Sequence, residues 1–158
     1  MRLRHLIPTL LCVLGAGAGM AQPLRTHTTL KEGWRFMKEG QSEWQSVTVP
    51  HDWAIYGPFD RENDIQRVAV VQNGERDPSD KTGRTGGLPY MGKGYYELTL
   101  HLDFLPDGRS LTLLFDGAMS QARVLLNGRE VGYWPYGYNS FTCDITEAAH
   151  EGDNTLRV

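Results

Sequence analysis

Five histidines stand at positions 5, 27, 51, 101 and 150, and none shares the spacing of a metal-ligating set with another histidine or a cysteine. The chain has no Gly-rich phosphate loop and no Gly-x-Ser-x-Gly elbow. Paired carboxylates are the remaining device. Hydrolysis of a glycosidic bond uses two of them about 5–9.5 Å apart, one to protonate the leaving oxygen and one to attack or to activate water. Asp52, Asp60, Glu62, Asp64 and Asp116 qualify by type, but acids in such loops are ordinarily solvated or cap turns. Asp60, Asn63 and Asp64 offer hard oxygen atoms to Ca²⁺, at a spacing that is not that of a calcium loop. No metal or cofactor is expected.

Aromatic residues say more. Tyr133, Trp134, Tyr136, Tyr138 and Phe141 crowd into nine positions, interrupted by Pro135, Gly137, Asn139 and Ser140. Proline and glycine make this a turn, so the five rings cannot all face one core. Exposed rings beside amide and hydroxyl groups suit a sugar, whose apolar face stacks while its hydroxyls hydrogen-bond. A corner cluster that seals the end of a domain accounts for them equally well, and different rings can serve each purpose.

The elements that must position these residues are strands. Tyr96, Leu98, Leu100 and Leu102 alternate with Tyr95, Glu97, Thr99, His101 and Asp103, the period-two pattern of a half-buried strand. Leu111, Leu113 and Phe115 repeat it after a turn at Pro106-Asp107-Gly108. Ala122, Val124 and Leu126 follow, and Asn127-Gly128 then returns the chain as a hairpin through Glu130 to Trp134, because both turn residues accept positive φ. Trp34 to Met37 and Ser46 to Val49 precede this set, with Trp34, Phe36, Val47 and Val49 inward; Ser140 to Asp144 and Asn154 to Val158 follow it. Ile145 to His150 reads as one helical turn. About eight short strands with turns between them predict an all-β fold, an antiparallel jelly-roll β-sandwich of the galactose-binding-domain kind. One long connection, Ile55 to Lys93, breaks the rhythm with eleven charged residues between Asp60 and Arg84 and a possible short strand over Val68 to Val71. Unstructured loops of that length are uncommon in compact domains unless functional or disordered.

The N-terminus reads as a secretory signal peptide over residues 1 to 21: a basic start, an apolar run from Leu6 to Ala18, and small residues before Gln22. The run is too short for a membrane span. Leu11 stands where a lipoprotein signal wants a small residue before Cys12. Cys143 is then alone, and reads as a small apolar residue in a strand. The chain carries 16 basic against 19 acidic residues, a net −3; Arg2 and Arg4 leave with the signal, giving 14 against 19, a net −5. A mildly acidic surface disfavours nucleic acid and anionic membranes as partners. An exported protein, periplasmic or extracellular, is the expectation, with residues 22 to 158 as one domain.

Seven blocks in order carry a family resemblance. They are Val49-Pro50-His51-Asp52-Trp53, Gly57-Pro58-Phe59-Asp60, Gly86-Gly87-Leu88-Pro89-Tyr90, Gly94-Tyr95-Tyr96, Phe115-Asp116-Gly117-Ala118-Met119-Ser120, Val131 through Phe141, and Gly152-Asp153-Asn154. From about Leu30 to Val158 the chain resembles the N-terminal sugar-binding domain of family 2 glycoside hydrolases, β-galactosidase-like branch. The resemblance implies a jelly roll followed by an immunoglobulin-like domain and a (β/α)8 barrel that holds both catalytic glutamates. A barrel of that kind takes about 250 residues, so the resemblance places no catalytic residue on this sequence. Some of these β-galactosidases lend the active site an Asn just before the Gly-x-Tyr strand; that position falls near Met91, which departs from the pattern. A borrowed Asp would lie beyond Val158.

What the resemblance implies is therefore a non-catalytic carbohydrate-binding domain of an exported β-galactosidase-like exo-glycosidase. His51, Asp52, Trp53, Tyr90, Tyr136, Tyr138 and Asn139 are the expected sugar contacts. Partners would be a β-galactoside or related glycan and the downstream domains of the same enzyme. A freestanding carbohydrate-binding module and a purely structural sandwich are the alternatives. Asn154 to Val158 reads as a strand still in progress, so the expectation is an incomplete domain with an unpaired edge.

Overall fold

The computed structural model describes residues 25–84, 86–103, 105 and 108–158. The expected signal segment and the Pro106-Asp107 part of the expected turn lie outside these residues. In chain order the strands are β1 (Trp34–Lys38), β2 (Gln45–Val47), β3 (Arg67–Val68), β4 (Ser79–Asp80), β5 (Gly94–Leu102), β6 (Thr112–Phe115), β7 (Ala122–Leu126), β8 (Arg129–Trp134), β9 (Phe141–Asp144) and β10 (Gly152–Arg157). Every pairing is antiparallel. The order β2-β1-β5-β10-β7-β8 makes one six-stranded sheet; β6 and β9 make a second, and β3 with β4 a small third in the long loop. The chain is thus an all-β antiparallel sandwich, as the alternation predicts, with the strands divided unequally between its layers.

Alternation works because each strand has one face on the core. Trp34 and Phe36 of β1, Leu98 of β5, Ala122, Val124 and Leu126 of β7, Phe141 and Cys143 of β9 and Leu156 of β10 are all buried. Burying a Leu, Val or Phe side chain is worth about 1.5–3 kcal/mol, and this set supplies the main stabilising term. Gly132 of β8 lets the two layers approach, since a methyl group there would overlap the Cys143 sulfur. Cys143 is a buried free thiol, whose pKa is raised by burial, and it packs as a small apolar residue.

The Asn127-Gly128 turn forms as expected, with φ of 53° and 81°. It does more than reverse the chain. Asn127 Nδ2 donates to Asn154 Oδ1 at 2.8 Å and to the Ala148 carbonyl at 2.9 Å, and Thr155 N donates to Asn127 Oδ1. Asn154, fully buried, returns Nδ2 to the His150 and Gly152 carbonyls. This network fixes the connection that the sequence suggested as a helical turn. One such turn exists, with Ala149 N donating to the Ile145 carbonyl, but no helix follows, and β10 begins already at Gly152.

Two further expectations need correction. The Asn154 to Val158 strand is not at an edge: β10 lies between β5 and β7 and pairs with both. In the long connection, the short strand expected over Val68 to Val71 is instead Arg67–Val68. Besides β3 and β4 the connection holds 3-10 turns at Arg61–Asn63 and Val71–Asn73, the second taking Val71, the last residue of the expected strand.

Candidate functional site

The long loop is built on Asp64, 1% exposed, whose carboxylate accepts the Gln66 and Gly83 amides at 3.0 Å each. Asp60 caps the Arg61–Asn63 turn through the Glu62 amide, and Asn63 Nδ2 donates to the Leu88 carbonyl at 2.9 Å. The three residues that resembled hard-ion ligands therefore turn towards backbone groups instead. Among the described residues no group of three or more His, Cys, Asp or Glu side chains comes together as a metal site. Ion pairs Glu62–Lys81, Arg67–Asp80 and Glu75–Arg84 staple the outside of the loop. The Val70 amide and then Arg84 hold the Glu75 carboxyl below the ordinary carboxylate range.

That scaffold brings Tyr90 and Trp53 over the inner face of β1 and β5, where β6 and β9 do not reach. Trp53 and Tyr90 lie 5.7 Å apart between ring centroids. Phe36 meets His51, Trp53 and Tyr96 at 5.0, 5.7 and 4.8 Å. Gly94 makes room for the Phe36 ring, which a side chain there would strike. Lys38 Nζ sits 5.1 Å from the Trp53 ring and 5.7 Å from Tyr90, and donates to the Gly57 carbonyl at 3.2 Å. Two aromatic faces and one carbonyl thus hold a cation at the entrance of the cluster.

The Tyr96 hydroxyl is 2.9 Å from His51 Nδ1. Burial, helped by the Asp52 charge, pushes Tyr96 up to about 12, so the phenol stays protonated. Burial is also the main force on His51, lowering its pKa against the pull of Asp52, with Lys38 adding to the decrease. His51 is therefore held towards the neutral imidazole, and its carbonyl also lies 3.3 Å from the Tyr96 hydroxyl. Asp52 is exposed at the rim, and its Oδ1 accepts the Ala54 amide at 2.9 Å. A cleft of about 730 Å³ opens here, lined by Ser46, Thr48, His51, Asp52, Ile55 and Tyr56 among others.

Tyr136, Tyr138 and Asn139 form a second group. The crowded aromatic turn divides its rings between the two uses that sequence left open. Trp134, Phe141 and Phe115 stack as a column, with centroids 5.6 and 4.7 Å apart and planes within 11° and 6°. Tyr136 and Tyr138 remain 57% and 75% exposed and face each other at 5.6 Å. Asn139 Oδ1 accepts the Trp134 indole N–H at 2.8 Å, leaving its amide N–H groups outward.

Register puts both groups at the same end of the sandwich. Lys38 is opposite Gly94, the first residue of β5. Leu98 and Leu126 are both opposite Leu156, so the starts of β5 and β7 lie level; Trp134 is opposite Ala122 at the start of β7. The separation is three strand spacings from β5 and four from β1, about 14–19 Å. Asp116 through Ser120 belongs to this end as well, with Met119 packed against Gly137. Phe36, Lys38 and Tyr96 were not singled out from sequence. A lysine in phase with the inward Trp34 and Phe36 was the available signal.

No protein-family model matches the chain. β-Galactosidase BoGH2A of Bacteroides ovatus is 36% identical over 105 residues, which span 66% of this chain and 10% of that protein. A β-glucuronidase of Bacteroides fragilis is 26% identical over 131 residues, 82% of this chain and 15% of its own length. The chain thus spans between a tenth and a sixth of these relatives. A crystal structure of a family 2 glycosyl hydrolase from Bacteroides cellulosilyticus superposes with a TM-score of 0.61 over 82% of this chain and 17% of that one. At 24% identity that likeness speaks for the fold. Taken with the ordered motifs, these matches show that the chain is homologous to a domain of family 2 glycoside hydrolases, of the β-galactosidase and β-glucuronidase kind.

Proposed function

We propose that this is a non-catalytic carbohydrate-binding domain of an exported β-galactosidase-like exo-glycosidase, and that its loop end faces the sugar. The observation that carries the reading is the exposed Tyr136–Tyr138 pair with the exposed Asn139 beside it, whose amide N–H groups make no hydrogen bond among the described residues. It stands at the same end as the cleft next to His51 and Asp52. Rings supply stacking faces, and the amide and imidazole supply directional polar contacts. Catalysis is left to the other domains of such an enzyme, with which this end would share the substrate. A periplasmic or extracellular location follows from the basic start, apolar run and small-residue exit of residues 1 to 21.

Calorimetric titration of the chain with a methyl β-galactoside tests the reading. Binding should be detectable in the millimolar range. It should weaken roughly tenfold or more when Tyr136→Ala and Tyr138→Ala are combined, since each ring contributes about 0.5–1.5 kcal/mol. The stacked Trp134–Phe141–Phe115 column favours a second reading, a purely structural end cap. Absence of binding, with tryptophan fluorescence unchanged on adding sugar, would establish that reading instead.

A further inference from the structure

The outward face of the large sheet, away from the loop-end cluster, carries its own array. Ser46, Arg35, Glu97, Arg157 and Leu125 stand side by side across β2, β1, β5, β10 and β7. Glu97 is 5% exposed although it points away from the core. Arg35 Nη2 donates to its Oε1; Arg157 donates to Oε2 through Nε at 2.9 Å and through Nη2. Burial would raise the Glu97 pKa, but these two guanidinium groups outweigh it and hold the carboxylate ionised. Trp44 lies over both, 4.8 Å from the Arg35 guanidinium and 5.9 Å from that of Arg157.

One arginine suffices to pair one carboxylate. Here two cations share one anion, which leaves a surplus positive charge fixed in place. An arginine carries five N–H donors, and only one from Arg35 and two from Arg157 reach Glu97. Both arginine side chains are half exposed, at 52% and 50%. Next to Arg157 is a cleft of about 400 Å³, lined by Leu125, Asn127, Gly128, Thr155 and Arg157. Thr155 is directly opposite Thr99, and both are exposed, with hydroxyls that make no hydrogen bond among the described residues.

We propose that this face binds an acidic glycan. The carboxylate of a uronic-acid residue would take the spare donors of Arg157 and Arg35, its hydroxyls Thr155 and Thr99, and its ring face Leu125. Fork-shaped guanidinium groups match carboxylates, and hydroxyl-lined clefts with an apolar wall match pyranose rings. The site lies on the other side of the sheet from His51, Trp53 and Tyr90, and its occupancy does not depend on the loop-end reading.

The test is calorimetry of the chain at low salt with trigalacturonate and with neutral galactotriose. The acidic trimer should bind at least about tenfold more tightly, and should lose at least about tenfold in Arg157→Gln and in Thr155→Glu, because one charge-assisted hydrogen bond is worth about 1.5–3 kcal/mol. Thr155 is exposed and hydrogen-bonds only through its backbone, so Thr155→Glu keeps the fold and decides the matter even if Arg157→Gln melts early. Equal affinity for the two trimers, no binding of either, or affinity unchanged in Thr155→Glu overturns the proposal. So does a glutamate peptide of equal charge that binds as tightly as trigalacturonate, an outcome that would make the face a docking surface for protein.

Discussion

Replacing Gly132 by alanine probes the spacing between the two layers of the sandwich. The new methyl group would overlap the Cys143 sulfur and stand 3.3 Å from its Cβ. Cys143 is 4% exposed on β9 and cannot swing into solvent. Overfilling a packed core costs typically 1–3 kcal/mol. Against this, alanine restricts the unfolded chain and recovers about 0.4–1 kcal/mol, as Gly132 does not hold a left-handed backbone. A net loss of about 1–2 kcal/mol is expected for Gly132→Ala. Cys143→Ala, which only empties the sulfur site, should cost a similar amount. The double variant places the new methyl where the sulfur was, so its loss should fall short of the sum by at least about 1 kcal/mol, a coupling of the size neighbours in contact show. Urea denaturation of the four proteins, with m-values compared to exclude denatured-state effects, measures it. Strict additivity, or a Gly132→Ala protein as stable as the parent, would show that β8 and β9 are not in this contact.

Three other outcomes are expected. Asp64→Ala removes a buried carboxylate and with it the partner of the Gln66 and Gly83 amides, so it should cost about 1 kcal/mol or more and open the loop to limited proteolysis between Asn63 and Arg84. Glu97 has a pKa lowered from 4.5, so its contribution is present above that pH and is lost as pH falls through the lower folded value; the acid limb of the melting-temperature profile should flatten in Glu97→Gln. Tyr96, pushed from 10.0 up to about 12, contributes stability below pH 10 that disappears as pH rises through 12; Tyr96→Phe should lack this alkaline loss in thermal melts.

The parts of this fold that sequence revealed are those determined by neighbours along the chain. Leu98 and Tyr96 alternate with polar residues, and Asn127-Gly128 can accept positive φ, so β5, β7, β8 and the hairpin follow locally. The position of β10 does not, because its partners Leu98 and Leu126 are chosen by register between distant segments. Glu97 falls on the strand face that reads as solvent; its burial needs Arg35 and Arg157, 62 and 60 residues away. The order in the long loop hangs on Asp64, one acid among many there, and only its burial and its two amide partners set it apart. At the candidate site, glycine and aromatic density marked the right segments. Which rings of the 133–141 turn are exposed was decided by the stack on Phe115, a residue of another sheet.

The place of β10 has a kinetic meaning. It joins β2-β1-β5 on one side to β7-β8 on the other, yet of these strands it lies furthest along the chain. The two halves of the main sheet cannot meet until residue 157 is available, and each waits with an open edge, β5 on one and β7 on the other. Its contact with β5 also closes a long stretch of chain, the kind of distant pairing that folds slowly. Until then these edges are the surfaces on which an unfinished chain can pair wrongly, so late closure of the main sheet is built into the strand order itself.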